Sequence, residues 1–130
     1  MVTDPHSGSI LALCDVIRTT SFDIHKYLRS GFTEKIYENA LVHRLRQMGI
    51  VVQQQQHMRV FDEDGTPLGL LTADLFVNSQ LICEIKSCNT LIEAHTAQLL
   101  GYLRAARIEH GLLINFGAPR LQIRKYILTQ

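Results

Sequence analysis

Three charged residues, Asp74, Glu84 and Lys86, interrupt two stretches of the chain that are otherwise apolar. Residues 70–77 and 81–87 each have the composition of a strand, and the short polar turn between them predicts an antiparallel hairpin. A buried charge is costly unless it is paired, hydrogen-bonded or bound to a metal, so these charges need partners. Glu84 and Lys86 are two residues apart and point to one face of their strand. With a suitable register, Asp74 on the partner strand meets them there.

Two carboxylates and one ammonium at one point are suited to holding Mg²⁺ against a phosphodiester. Mg²⁺ prefers oxygen ligands and keeps several waters, so Asp74 and Glu84 could each supply one oxygen and the backbone carbonyl of Ile85 a third. Lys86 could orient or deprotonate the attacking water, or neutralise the charge that develops on the phosphate. The neighbouring carboxylates favour the ammonium and the neutralising role, whereas a bound cation and burial favour the basic role. The residues alone leave both roles open.

The same charges could instead be structural, with Lys86 neutralising Glu84 while Asp74 caps a turn. Polar groups on the helix predicted to follow the hairpin bear on this choice. Gln98 and Tyr102 are four residues apart and share a face of that helix, which is otherwise apolar. Such a face could be a solvated rim or the rim of a site.

A second polar pair lies near the start of an earlier predicted helix. Glu34 and Tyr37 are three residues apart there. Glutamate is favoured at a helix N-terminus by the helix dipole, so a purely structural role is open for Glu34 as well.

Hydrophobic periodicity and turn residues predict the elements that position these side chains. Thr33 can cap the second helix, and Gly49 is its expected stop. A helical connection makes the strands on either side of it parallel neighbours or near neighbours. The order α-α-β-β-β-α-β-β predicts one α/β domain over 1–130 with a mixed central β-sheet flanked by helices. The predicted helices cover 8–29, Glu34 to about Met48, and 91–107; the predicted strands cover 50–61, 70–77, 81–87, 112–116 and 121–127.

Composition narrows the functional classes. The chain has 130 residues, of which 46% are apolar, enough for a core. Its net charge of +1 and pI of about 7.8 lack the basic signature of a dedicated nucleic-acid binder, so such binding requires a local patch. No apolar run is long enough for a membrane span and no signal peptide is recognisable. Cys14, Cys83 and Cys88 fit reduced thiols and predict a cytoplasmic protein.

The segment from Gly31 to Tyr37 reads G-x-x-E-x-x-Y and resembles the signature of the GxxExxY family, which is grouped with the PD-(D/E)XK nuclease superfamily. Four further segments resemble the family's catalytic hairpin, the block after it and its closing strand pair, so that the resemblance covers about residues 10–128. The matching segments are 24–41, 73–77, 83–87, 97–105 and 111–121.

The resemblance implies a restriction-endonuclease-like core that binds Mg²⁺ or Mn²⁺. The aspartate of the first hairpin strand and the glutamate of E-x-K bind the metal in that superfamily, the lysine assists the water, and an acid on the preceding helix often completes the site. A Q-x-x-x-Y element occurs in related nuclease domains. The residues implied here are Asp74, Glu84 and Lys86, with Glu34 as the helix acid, Ile85 as a backbone ligand, and Gln98 and Tyr102 as the Q-x-x-x-Y element.

Three functional hypotheses follow. The first is a metal-dependent phosphodiesterase that acts on DNA in preference to RNA. The second is a non-catalytic module that keeps the nuclease fold and works as a homodimer or with a helicase or other protein partner. The third treats Glu34, Asp74, Glu84 and Lys86 only as a buried polar network. Under the first hypothesis, the candidate phosphate contacts are Arg44, Arg46, Arg104, Arg107, Arg120 and Arg124.

Overall fold

The computed structural model describes residues 9–129, which form three helices and five strands in the predicted order α-α-β-β-β-α-β-β. The predicted α/β fold class is therefore confirmed. The predicted start of the first helix at residue 8 lies outside the described residues. The elements are α1 (Ser9–Leu28), α2 (Glu34–Gln47), β1 (Val52–Phe61), β2 (Pro67–Val77), β3 (Leu81–Lys86), α3 (Glu93–Ala106), β4 (His110–Asn115) and β5 (Gln122–Ile127).

The strands form one mixed sheet in the order β1-β2-β3-β4-β5. β3 pairs parallel with β4, as the helical connection through α3 predicts, and the other three pairs are antiparallel. β2 begins three residues before the predicted strand, because Pro67 to Leu70 continue the pairing with β1 although their side chains are exposed. Pairing along a strand needs only the neighbouring backbone, so the apolar pattern underestimates the length of this hairpin.

Helices cover both faces of the sheet, and β3 lies between the two layers. Cys83 and Ile85 pack in the core that α1 and α2 form on one face. Ile82 packs with α3 on the other face. Because side chains alternate along a strand, Glu84 and Lys86 point to the same side as Ile82. The two charges of E-x-K are thus directed toward α3.

The N-terminus of α2 begins where the sequence predicts, but its capping differs. Thr33 is the residue before the first helical turn, and its side chain makes no capping hydrogen bond. The Ile36 N–H donates to the Thr33 backbone carbonyl instead. Thr33 therefore marks the boundary without supplying the hydroxyl that the sequence predicts.

Two further predictions from the composition concern membrane spans and the state of the cysteines. Between residues 9 and 129, no helix combines the length and hydropathy that a bilayer span requires. Cys14 and Cys83 are buried, Cys88 is half-buried, and all three are free thiols. The predicted cytoplasmic location stays a prediction.

Candidate active site

The predicted hairpin brings the carboxylates of Asp74 and Glu84 together at the point where β2 and β3 separate. Their pairing includes Leu75 opposite Cys83, so the next step in the same register places Asp74 opposite Glu84. Side chains take over the backbone hydrogen bonds there. The Asp74 N–H donates to Glu84 Oε2 at 2.7 Å, and the Ile85 N–H donates to Asp74 Oδ2 at 2.8 Å. Each carboxylate is thus oriented by the backbone of the opposite strand.

At this same point, the alternation of side chains along β1 and β2 reverses, so that positions facing one core before it face the other core after it. Val52 and Met58 are an even number of residues apart, so in a regular strand they would point to the same face, yet they pack in different cores. The reversal coincides with Gln55, whose φ of 54° lies in the left-handed region that residues other than glycine seldom adopt. The flanking pairs place Gln55 opposite Asp74. The sheet is therefore irregular where the acidic pair sits, and strained backbone of this kind often marks functional sites.

Glu38 of α2 is a further acid at this point, and the sequence prediction missed it. Its side chain is only 3% exposed. The Gln55 side-chain amide donates to Glu38 Oε1 at 2.8 Å and lies 3.4 Å from Asp74 Oδ1, linking the two acids. Gln54 also donates to Glu38, and Lys35 Nζ lies 2.9 Å from Glu38 Oε2. Glu38 is adjacent to the apolar stripe of α2, and a charge beside a core stripe was the available signal.

Glu34, the acid that the sequence selected from α2, is not brought into this cluster. It is exposed in the first turn of the helix. Across residues 9–129 it has no hydrogen bond or ion pair with the hairpin, whereas the charge of Glu38 acts on both Asp74 and Glu84. The carboxylate of α2 that faces the hairpin is Glu38.

Lys86 is held by Gln98 of α3, which shares a helix face with Tyr102 as their spacing predicts. Lys86 Nζ donates to Gln98 Oε1 at 2.8 Å, and Gln98 Nε2 donates to Tyr102 Oη at 3.2 Å. Within the described part of the chain, the one ion pair closer than 4.0 Å joins Lys35 to Glu38. Lys86 therefore does not form the direct structural ion pair with Glu84 that was the alternative interpretation.

Negative charge in the hairpin is only partly compensated. Burial, followed by the charge of Asp74, raises the pKa of Glu84 to about 8. Burial also raises the pKa of Asp74, and the charge of Glu38 adds to this effect although the Ile85 N–H and Lys86 oppose it. The pKa of Tyr102 is raised by burial and by the same two hairpin carboxylates. A cation between Asp74 and Glu84 would relieve this repulsion.

The donor set fits a hydrated Mg²⁺ or Mn²⁺ ion better than a metal enclosed by protein. No group of three or more His, Cys, Asp or Glu side chains that could hold a metal occurs in the described residues. Mg²⁺ is commonly held by one or two carboxylates with waters and substrate oxygens, and the Asp74–Glu84 pair matches that pattern. The carbonyl of Ile85 as a third ligand stays a prediction.

The G-x-x-E-x-x-Y segment supports the carboxyl end of β3 through its tyrosine. The Tyr37 ring stacks on Phe116, with centroids 4.7 Å apart and planes 4° from parallel. Its hydroxyl donates to the Arg29 carbonyl and accepts from the Phe32 N–H. Ser87 Oγ, one residue after Lys86, donates to the Phe32 carbonyl at 2.7 Å. Tyr37 therefore joins the α1–α2 loop to the strand end that carries Lys86.

Asn115 is a second residue that the sequence prediction missed. It is fully buried at the end of β4. Its Oδ1 accepts from the backbone N–H groups of Cys88 and Gly117, each at 3.0 Å. Its Nδ2 donates to the Cys88 carbonyl and to Gln122 Oε1. This side chain fixes the segment that follows Lys86, and a lone polar residue at the end of the buried run Leu112–Asn115 was the available signal.

The candidate arginines are dispersed. Arg46 donates to the Val52 carbonyl at 2.8 Å and joins α2 to β1. Arg104 and Arg107 line a groove beside the β1–β2 turn together with two acids, Asp62 and Glu63. The others are Arg44 on α2, Arg120 in the β4–β5 turn and Arg124 on β5.

A mixed sheet with helices on both faces and an acidic D…E-x-K hairpin at its centre defines the class of nuclease-like α/β proteins. A family model described as the PD-(D/E)XK nuclease superfamily matches residues 12–126, so the chain belongs to that superfamily. The predicted superfamily is confirmed, and the narrower GxxExxY assignment stays a prediction.

Solved structures add support for the fold. The crystal structure of SSO0001 is similar with a TM-score of 0.58 and 17% identity, over 74% of this chain and 50% of that one. This chain thus spans half the length of SSO0001, and at this identity the likeness concerns the fold alone. The comparison with curated proteins found no match.

The Glu84→Gln variant is expected to lose a pH dependence of stability that the wild type has in the absence of divalent ions. Glu84 has a pKa of about 8 in the native protein against an ordinary value of 4.5, so the native state binds a proton that the unfolded chain releases. This contribution is fully present below the lower value and is lost as the pH rises through the upper one. We expect the wild type to lose roughly 2–4 kcal/mol more than the variant between about pH 5 and pH 8.5.

Urea unfolding with EDTA at several pH values measures this difference. Gln keeps an oxygen that accepts from the Asp74 N–H, so the variant should fold. Glu109→Gln, which changes an exposed glutamate, is the matched control and should follow the wild type. Parallel profiles for the wild type and Glu84→Gln would contradict the raised pKa.

Proposed function

We propose that this protein is a Mg²⁺- or Mn²⁺-dependent nuclease that hydrolyses phosphodiester bonds in DNA. The observation that carries the proposal is the Asp74–Glu84 pair, in which a half-buried and a buried carboxylate are oriented by backbone N–H groups and share charge that a dication would neutralise. Membership in the PD-(D/E)XK nuclease superfamily supports the same chemistry. A lysine on the same strand face supplies the positive charge that this reaction needs.

Asp74 and Glu84 would hold the metal, which supplies a Lewis acid that polarises the phosphate and activates a water. The mutual hydrogen bonds of the hairpin restrict both carboxylates before the substrate arrives, so little reorganisation is needed during reaction. Glu38 contributes negative charge through Gln55 and takes the place on α2 that we predicted for Glu34. Its own oxygens already accept from Lys35 and two glutamines, which favours an electrostatic role for Glu38.

Lys86 acts on the phosphate as a cation in this proposal. Gln98 Oε1 accepts a hydrogen bond from the lysine ammonium, and Tyr102 orients the Gln98 amide. An ammonium held in this way is suited to neutralise charge that develops on the phosphate oxygens. Gln98 and Tyr102 are accordingly positioning residues for Lys86.

Manganese binding to the free protein is the direct test of the site. Calorimetry should detect Mn²⁺ binding to the wild type and none to Glu84→Ala, because the variant lacks one of the two carboxylates. A ligand that binds only the native state stabilises it, by about 2.7 kcal/mol at a hundredfold excess over Kd. The melting temperature of the wild type should therefore rise with Mn²⁺, and that of Glu84→Ala should not.

Glu63→Ala, in the exposed β1–β2 turn, is the matched control and should bind Mn²⁺ as the wild type does. Absence of binding to the wild type at millimolar Mn²⁺ would contradict the proposal. That result would favour the alternative of a non-catalytic module that acts as a homodimer or with a protein partner.

A further inference from the structure

A groove of about 670 Å³ lies between the end of α1 and the turn that joins β4 to β5. We call it the α1 groove. The α1 side includes Phe22 and Lys26, which are four residues apart and share a helix face, and Arg29, which directly follows the last residue of α1. The opposite side includes Pro119 and Arg120. The groove thus joins an aromatic ring with cations from two separate elements.

The α1 groove is locally basic in a chain that is almost neutral. Lys26, Arg29 and Arg120 are exposed cations, and Asp23 is the acid that lines the same groove. Counting these four side chains gives three positive charges and one negative, a local excess of two, whereas the whole chain carries +1. In the part of the chain that the structure describes, the one ion pair closer than 4.0 Å joins Lys35 to Glu38, outside the groove. The three cations of the groove are therefore available to phosphates.

Phe22 distinguishes a single strand from a duplex as the occupant. Phe22 is 52% exposed although it is a large apolar residue, and it lines the same groove as the three cations. Single strands bind where basic side chains follow the backbone and aromatic rings stack on bases, whereas duplex bases are already stacked on one another. A basic groove with one exposed phenyl ring therefore fits an unpaired nucleotide.

The groove is physically joined to the strand that carries Lys86. The Phe116 N–H donates to the Lys86 carbonyl at 2.9 Å, and His25 Nε2 lies 3.0 Å from the Ala118 carbonyl. The hydroxyl of Tyr37, whose ring stacks on Phe116, donates a hydrogen bond to the Arg29 carbonyl. Arg120 is four positions after Phe116, which limits the distance between their Cα atoms to about 14 Å.

We propose that the α1 groove binds single-stranded nucleic acid, with phosphates on Lys26, Arg29 and Arg120 and a base on Phe22. The strand continues from the groove toward the Asp74–Glu84 hairpin. This inference rests on the proposed nuclease function, because it names the substrate form that the hairpin receives.

Fluorescence anisotropy with a labelled mixed-sequence oligodeoxynucleotide tests the groove in EDTA, where no metal-dependent cleavage occurs. The Lys26→Ala/Arg120→Ala variant should bind at least tenfold more weakly at low salt. Each phosphate contact contributes about 0.7 to the slope of log K against log salt for single strands, so the slope should fall by about 1.4. Arg59→Ala/Lys125→Ala removes one exposed and one half-exposed cation from strands outside the groove and should leave affinity and slope unchanged.

Phe22→Ala tests the stacking contact separately. It should weaken single-strand binding by roughly 5- to 100-fold while leaving the salt slope unchanged, because stacking releases no counterions. Tyr27→Ala removes another exposed aromatic ring of α1 and is the matched control. Equal affinity of Phe22→Ala and wild type, or equal affinity of the wild type for single strands and duplexes, overturns the single-strand proposal.

Cleavage assays separate this proposal from the proposed function. If the wild type cuts DNA but Lys26→Ala/Arg120→Ala binds as tightly as the wild type, the groove proposal fails and the nuclease stands. If no protein cuts DNA but the groove variant has lost single-strand binding, the groove stands and the nuclease fails.

Discussion

Replacing Asp74 by Asn, or Glu84 by Gln, is expected to lower metal-dependent cleavage of DNA by roughly 10²–10⁴-fold. Both changes remove a negative charge from the pair that would hold the metal. Both keep a side-chain oxygen that can accept the same backbone hydrogen bond. Asn at position 74 can still accept from the Ile85 N–H, and Gln at position 84 can still accept from the Asp74 N–H. The loss of rate should therefore come without a loss of fold.

Substitutions of Lys86, Gln98 and Tyr102 should lower the cleavage rate by amounts that decrease in that order. Lys86→Met removes the cation and should cost on the order of 10²–10³-fold in rate. Gln98→Leu and Tyr102→Phe leave the ammonium in place but remove the groups that orient it, so smaller losses are expected. Tyr102→Phe should have the smallest effect, because Tyr102 contacts Lys86 only through Gln98.

Labelled single-stranded DNA, duplex DNA and RNA, each incubated with Mn²⁺ or with EDTA, provide the measurement. Asp62→Asn and Glu63→Gln carry the same chemical changes in an exposed turn and should cut at the wild-type rate. Cleavage that persists unchanged in Asp74→Asn or Lys86→Met would come from another source and would refute the nuclease assignment. Preferential cleavage of RNA would refute the choice of DNA.

The sequence predicts the hairpin well because its signals are local. A polar turn between two apolar runs fixes the strand pairing, and two residues of spacing fix the common face of Glu84 and Lys86. The spacing of Gln98 and Tyr102 likewise fixes a shared helix face. The hydrogen bond from Lys86 to Gln98 then follows from α3 covering the face to which E-x-K points.

The charge beside the apolar stripe of α2 draws notice to Glu38, but the sequence alone does not decide between Glu38 and Glu34. The two residues are four apart, so they share a helix face and differ by about 6 Å along its axis. Which of them is level with the hairpin depends on how α2 packs against the sheet. The change of face at Gln55 was equally inaccessible, because a left-handed residue breaks the alternation from which strand faces are predicted.

Gly117→Ala is expected to destabilise the protein by roughly 1–3 kcal/mol or more, a loss comparable to that of an overpacked core. A Cβ at Gly117 would lie 2.3 Å from the Cys88 nitrogen, 2.5 Å from the Ser87 carbonyl carbon and 2.6 Å from the Cys88 oxygen. These are backbone atoms, so no side-chain rotation can relieve the contact. Either the β4–β5 turn or the segment after Lys86 must move.

Movement there would also reach the candidate active site. Asn115 binds the backbone of both Cys88 and Gly117, so separating these two residues breaks at least one of its hydrogen bonds. The Phe116 N–H that holds the Lys86 carbonyl lies next to Gly117. A variant that survives by shifting this segment should therefore lose cleavage activity through a displaced Lys86.

Thermal and urea unfolding measure the first effect, with an expected fall in melting temperature of roughly 3–5 °C for each kcal/mol. Gly101→Ala, inside α3, is the matched control, because nothing lies within 4 Å of its added Cβ. Alanine is favoured over glycine inside a helix, so this control should be more stable than the wild type by about 0.5–1 kcal/mol. A Gly117→Ala protein that equals the wild type in both stability and cleavage would show that the close contact with Ser87 and Cys88 does not position Lys86.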